Sequence, residues 1–301
     1  MKVQGYDRDL IVSIKRNYPE LASETFPLAK EIQKRGVKVI LTNVSWPRDT
    51  FYFHKDETFT EVNSRNQGQI NDCPHFAWHG GTYLLGTEFV IGSDSILPKS
   101  KREYTHRELR VKRGIYLDVR EISRDFDGVA VSGNKDFFLD VEHIDPFFNI
   151  ANRKRKLFTY DTPRSIAAGR RLETETGYEL IVLPKDDAEV AGIGFIELGD
   201  HMAVDKRARA TIKVLETLGY KIIETPVPLV TVNKRHGSLR CITLEIPKVV
   251  HRMKFYSFIG PGVNNQAVYS HFEDLEGHRA IGYTSHYRRL REPLFPKELY
   301  P

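Results

Sequence analysis

The chain has 301 residues, 40% of them apolar, enough to bury a substantial core in one large domain or two modest ones. Its 45 Lys and Arg against 40 Asp and Glu leave a formal charge of +5, a mild excess that can attract anionic partners but forms no block of five like charges. Two cysteines, Cys73 and Cys241, exclude a disulfide framework, no apolar run approaches the ~18 residues of a membrane span, and residues 1–9 lack the apolar core of a secretory signal, so the expected compartment is the cytoplasm.

In chain order, residues 26–34 read as a short helix, Arg35-Gly36 as its stop and residues 37–41 as a buried strand. The same phrase returns at residues 211–218, Gly219 and residues 220–223, and a looser copy runs through residues 164–175, Gly177 and residues 178–183. Helix, glycine, strand and polar loop form a recurring module, which implies a repetitive architecture. Between the copies, residues 82–91 read as two short strands around a turn, residues 137–150 as a strand pair, and residues 194–204 as a hairpin with Gly199-Asp200 at its tip. An apolar, β-branched run spans residues 221–232, and residues 242–246 form another short strand pattern. Helices alternate with short strands throughout, so the expected class is α/β. Residues 1–301 are read as one domain, in which residues 253–301, with five tyrosines, form a carboxyl-terminal extension or lid.

Four short motifs carry the residue types that chemistry on a cationic group needs. In Trp46-Pro47-Arg48-Asp49, Pro47 drives Trp46 out of the helical region, so Asp49 follows an extended dipeptide; an ordinary surface ion pair also accounts for Arg48-Asp49. Trp78-His79-Gly80-Gly81-Thr82 holds two glycines that permit a tight turn and close approach. In Glu142-His143-Ile144-Asp145 the strand-like spacing places His143 and Asp145 on one face, as a functional pair or a structural one. Cys241 stands at a loop-to-strand junction after the basic run Asn233-Lys234-Arg235-His236; nearby positive charge favours the nucleophilic thiolate, and a buried structural cysteine is the other reading. Cys73, His75, His79 and His54 are spaced loosely like metal ligands but match no standard zinc pattern, and no metal or cofactor is assigned.

Taken together, the four motifs resemble those of the pentein superfamily, the guanidino-group-modifying enzymes that include arginine deiminase, agmatine deiminase, dimethylarginine hydrolase and the amidinotransferases. The resemblance spans about residues 36–247. Trp46-Pro47-Arg48-Asp49 is similar to the family's aromatic-x-Arg-Asp, and Trp78-His79-Gly80-Gly81 stands where the family has Glu-Gly-Gly. His143-Ile144-Asp145 resembles its His-x-Asp, and Gly237-Ser238-Leu239-Arg240-Cys241-Ile242-Thr243 its glycine-rich loop ending in His-Cys-x-Thr.

The resemblance implies a five-bladed α/β propeller of ββαβ modules and a hydrolase or deiminase acting on a guanidine or linear amidine through a covalent intermediate on Cys241. It implies catalytic roles for Cys241, His143 and His79, with Asp49, Asp145 and Arg48 binding substrate. His79 replaces a family carboxylate, Arg240 stands where His is common, and the loop has one glycine rather than three; these differences point to a substrate other than arginine. The implied partner is a small guanidine or amidine, with no membrane contact and no cofactor. The alternatives are an amidinotransferase and a noncatalytic binding protein of the same fold, associated with RNA or the ribosome; a homo-oligomer is left open.

Overall fold

The structure, a computed structural model, describes residues 8–13, 19–42, 46–53, 59–61, 80–94, 111–139, 143–247, 255–257 and 272–274. Among these the strands form five small mixed sheets, one of four strands and four of three, interleaved with helices, so the class is α/β. The chain divides into two compact units, Ala77–Cys241 and Met1–Phe76 with Ile242–Pro301.

Within Ala77–Cys241 one plan recurs: an antiparallel pair, a crossover, then a strand parallel to the second. Phe148–Ala151 and Lys156–Tyr160 run antiparallel, the helix Pro163–Thr176 follows, and Glu179–Leu183 returns parallel to Lys156–Tyr160. Ile196–Leu198, His201–Val204, the helix Arg209–Thr217 and Lys221–Glu224 repeat the plan. Tyr83–Leu85, Phe89–Ser93 and Arg113–Leu117 form the same strand set. Parallel neighbours cannot be joined by a tight turn, so the helix–glycine–strand phrase read from the sequence is the crossover half of this plan. Gly177, at φ 68°, ends its helix in the left-handed conformation that glycine adopts without a Cβ penalty.

The helix starts are less conventional. Neither Thr162 nor Ala208 supplies a side-chain cap. Asp125, from the turn Arg124–Phe126, accepts the Arg164 backbone N–H at 2.6 Å, and Asp187, from the turn Lys185–Val190, accepts that of Thr211 at 2.5 Å. Each carboxylate serves a helix N-terminus from a turn earlier in the chain, where it also complements the helix dipole. Beneath them lies one apolar cluster in which Phe126 stacks on Phe138 and meets Phe147 and Tyr160 edge-on.

In the other unit, Arg8–Ser13 lies between Val39–Thr42, parallel, and Thr243–Pro247, antiparallel, with the helix Pro19–Lys34 as crossover. A second sheet joins Phe51–Phe53, Phe59–Glu61 and Phe255–Ser257. Phe255–Ser257 and Phe272–Asp274, both from residues 253–301, therefore belong to sheets of this unit. Arg48 forms an ion pair with Glu245, both side chains being mostly buried.

Three expectations are corrected. Among the described residues of the expected strand pair at 137–150, Phe137–Leu139 is a 3-10 turn and residues 144–147 are a turn, with strand from Phe148, because Pro146 lacks the N–H a ladder needs. The run 221–232 is strand only over Lys221–Glu224; Pro226 and Pro228 stop it, and Val230–Lys234 turns helical. The first helix begins at Pro19 rather than residue 26 and runs through Pro27. Among the described residues, no helix is long and apolar enough to cross a membrane.

Candidate functional site

Two turns of the unit Ala77–Cys241 meet at a small, partly open cleft lined by His143, Asp145, His236, Ser238 and Cys241. The first carries His143 and Asp145. The carbonyl of Gly81 accepts the N–H groups of Ile144 (2.8 Å) and Asp145 (3.2 Å), and the carbonyl of Ile144 accepts those of Phe147 and Phe148, both at 3.1 Å. Ile144 and Phe147 are fully buried. Each such apolar side chain contributes about 1.5–3 kcal/mol, so the core holds the turn while His143 and Asp145 line the cleft. At Gly81 a Cβ would stand 2.9 Å from Nδ1 and 3.0 Å from Cγ of His143, so the imidazole occupies space that only glycine leaves open.

The second turn carries Cys241. Its N–H donates to the Ser238 carbonyl at 3.1 Å, and the Arg240 N–H donates to the Gly194 carbonyl at 2.9 Å. Thr243 begins the following strand, so the thiol does stand at a loop-to-strand junction. Its Sγ lies 3.4 Å from the Ser238 hydroxyl and 3.8 Å from Oδ2 of Asp145, to which the S–H donates. Cys241 is half-buried and Asp145 is 3% exposed, and both line the cleft. His236, at φ 61°, and Ser238 line the cleft beside it.

One wall is the segment 191–195. Asn149, almost fully buried, donates from Nδ2 to the carbonyls of Ile193 (2.7 Å) and Phe195 (2.8 Å). The Ile193 N–H donates to the Tyr160 hydroxyl at 2.9 Å, and burial pushes that phenol well above its ordinary pKa, leaving it neutral. Oδ1 of Asn149 accepts from Nη1 of Arg240 at 3.2 Å, and Nε of Arg240 lies 3.9 Å from Oδ2 of Asp145. A buried cation and a buried carboxylate therefore adjoin each other beside the thiol, the pairing that burial of charge demands.

The structure thus brings together Cys241, His143 and Asp145, although the latter two share a turn rather than a strand face. Asp49 lies in the short helix Pro47–Thr50 of the other unit, where its backbone alone is described, and Arg48 beside it has Glu245 as partner. His79 lies outside the described residues, as do Cys73, His75 and His54 of the metal reading. Among the described residues no group of three His, Cys, Asp or Glu is placed to hold a metal. Sequence reasoning did not place Asn149 or Gly194 in the site, and it gave His236 and Ser238 only as neighbours of Cys241 in the chain. Ser238 had a signal in its position three residues before Cys241; Asn149 had none.

No protein-family model matches the sequence, and no curated protein matches it. Solved structures do. A Porphyromonas gingivalis protein described as an arginine deiminase aligns over 81% of this chain and 97% of its own, at 13% identity and a TM-score of 0.56. DDAH from Pseudomonas aeruginosa, a cysteine-to-serine variant in complex with citrulline, aligns over 80% and 100%, at 10% identity and a TM-score of 0.54. Agmatine deiminase of C. jejuni, a cysteine-to-serine variant with substrate bound, aligns over 81% and 95%, at 13% identity and a TM-score of 0.52. At such identities the likeness is one of fold, and the fold this chain resembles is that of the pentein superfamily, to which these structures belong.

Proposed function

We propose that the chain is a cysteine-dependent hydrolase or deiminase of a guanidine or linear amidine, working through a covalent intermediate on Cys241. The observation that carries this reading is the convergence of Cys241, His143 and Asp145 on one open cleft. The fold likeness to guanidino-modifying enzymes supports it. Asp145 accepts N–H donors of the planar substrate cation, whose geometry suits a carboxylate. The Cys241 thiolate adds to the central carbon and forms a C–S bond. His143 gives a proton to the departing nitrogen as the C–N bond breaks, then takes one from water as it adds to the same carbon. Cleavage of the C–S bond releases a ureido product from a guanidine, or an amide from an amidine, and returns the thiolate.

Roles for His79 in catalysis, and for Asp49 and Arg48 in substrate binding, remain part of this proposal, as do a single domain and the five-bladed arrangement. The five described sheets, each combining antiparallel and parallel pairing, support the last.

The test is incubation with arginine, agmatine, methylated arginines and other guanidines and amidines, measuring ammonia, amine and ureido product, with Cys241→Ala alongside. Turnover that vanishes in Cys241→Ala is expected. Transfer of the amidino group to an added amine would identify an amidinotransferase. No turnover across the panel, together with no labelling of Cys241 by an amidine electrophile, overturns the proposal.

A further inference from the structure

Arg240 has no part in the chemistry just described, yet it is a buried cation adjoining the Asp145 carboxylate. Its side chain is 9% exposed and that of Asp145 is 2% exposed. Three attachments define its place. The backbone N–H donates to the Gly194 carbonyl at 2.9 Å, Nη1 donates to Asn149 at 3.2 Å, and Nε lies 3.9 Å from Oδ2 of Asp145. That Oδ2 is the same oxygen that accepts from the Cys241 thiol at 3.8 Å. Asn149 is fixed in turn by the carbonyls of Ile193 and Phe195, so the guanidinium is braced against the cleft wall.

The electrostatics follow. A carboxylate within hydrogen-bond reach of a thiol opposes its ionisation, and a cation on the same carboxylate relieves that opposition. His143 and His236 also line the cleft, and Ser238 offers a hydroxyl to the sulfur; none of these is a permanent cation, whereas Arg stays charged at any ordinary pH.

We propose that Arg240 is a positioning residue of this site, whose guanidinium fixes the Asp145 carboxylate, offsets its charge and thereby sets the ionisation of the Cys241 thiol. The proposal rests on the reading of Cys241 as the reactive thiol, but it is tested on the thiol itself rather than on turnover.

The experiment follows alkylation of the full-length protein by iodoacetamide across pH, read by mass spectrometry on the peptide that carries Cys241. Arg240→Met is expected to move the midpoint upward by about one unit and slow alkylation about tenfold at neutral pH. Arg240→Gln, which keeps a donor for Asn149 but not the charge, is expected to do the same, and Arg240→Lys to keep the midpoint near that of the parent. Circular dichroism establishes which variants fold. An unshifted midpoint in a folded Arg240→Met or Arg240→Gln overturns the proposal, and so does failure of all three variants to fold, which would make Arg240 a structural residue only. If the parent alkylates and shifts as expected but no guanidine is turned over, the proposed function fails while this inference stands.

Discussion

The imidazole of His143 rests against the backbone of Gly81, where a Cβ would stand 2.9 Å from Nδ1 and 3.0 Å from Cγ. The same glycine's carbonyl holds the Ile144 and Asp145 N–H groups, so one residue sets both the turn and the ring upon it. Gly81→Ala must therefore displace the ring or the turn. Turnover is expected to fall by about 10²-fold, the scale of an ångström-sized misplacement, with a stability cost of about 1–3 kcal/mol. Steady-state kinetics and a urea melt check this; full activity would detach His143 from the chemistry.

Gly194 makes the matching contact on the opposite turn. A Cβ there would lie 2.4 Å from both Cβ and Oγ of Ser238, and the Gly194 carbonyl holds the Arg240 N–H. Gly194→Ala is expected to push the Cys241 turn from the wall, lowering stability by about 1–3 kcal/mol and slowing Cys241 alkylation. Unchanged melting temperature and alkylation rate would show that the turn does not depend on this contact.

Asn149 bears two carbonyls on one amide and a guanidinium on its oxygen. In Asn149→Ala these buried groups lose their partner, at an expected cost of roughly 2–4 kcal/mol. Asn149→Asp removes the donors but keeps an acceptor for Arg240, and is expected to destabilise as well. Urea unfolding of both variants measures the cost.

Asp125 predicts a pH dependence. Burial alone would raise its pKa, but the backbone N–H and guanidinium of Arg164 prevail and hold it below the ordinary carboxylate range. A carboxyl more acidic folded than unfolded contributes stability that is complete above its unfolded pKa of about 3.9 and is lost as pH falls through the folded value. Asp125→Asn should therefore be less stable than the parent by about 1–2 kcal/mol at pH 7, with the gap narrowing as pH falls from about 4. A gap that stays constant down to pH 3 would contradict the assignment.

Local periodicity was legible in the sequence. The helix–glycine–strand phrases at Gly177 and Gly219 are helices ended by left-handed glycines and followed by strands, and the Gly199-Asp200 hairpin is present. Three of the expected site residues, Cys241, His143 and Asp145, share a cleft. What was illegible depends on contacts distant in sequence. The rotamer space above Gly81 belongs to a residue 62 positions later, and Asn149 reaches carbonyls 44 and 46 positions on. The strand face assigned to His143 and Asp145 failed on Pro146, a local signal that the period-2 spacing overrode.

The borrowed carboxylates at the helix starts bear on how this unit comes to fold. Pro163–Thr176 and Arg209–Thr217 each draw an N-terminal acceptor from a turn outside their own strand–helix–strand module, at Asp125 and Asp187. Nucleating an isolated helix is unfavourable, and here the missing acceptor arrives only when the upstream turn has docked. The modules of Ala77–Cys241 are consequently poor candidates for excision or shuffling, and hydrogen exchange should find their amides opening together rather than one module at a time.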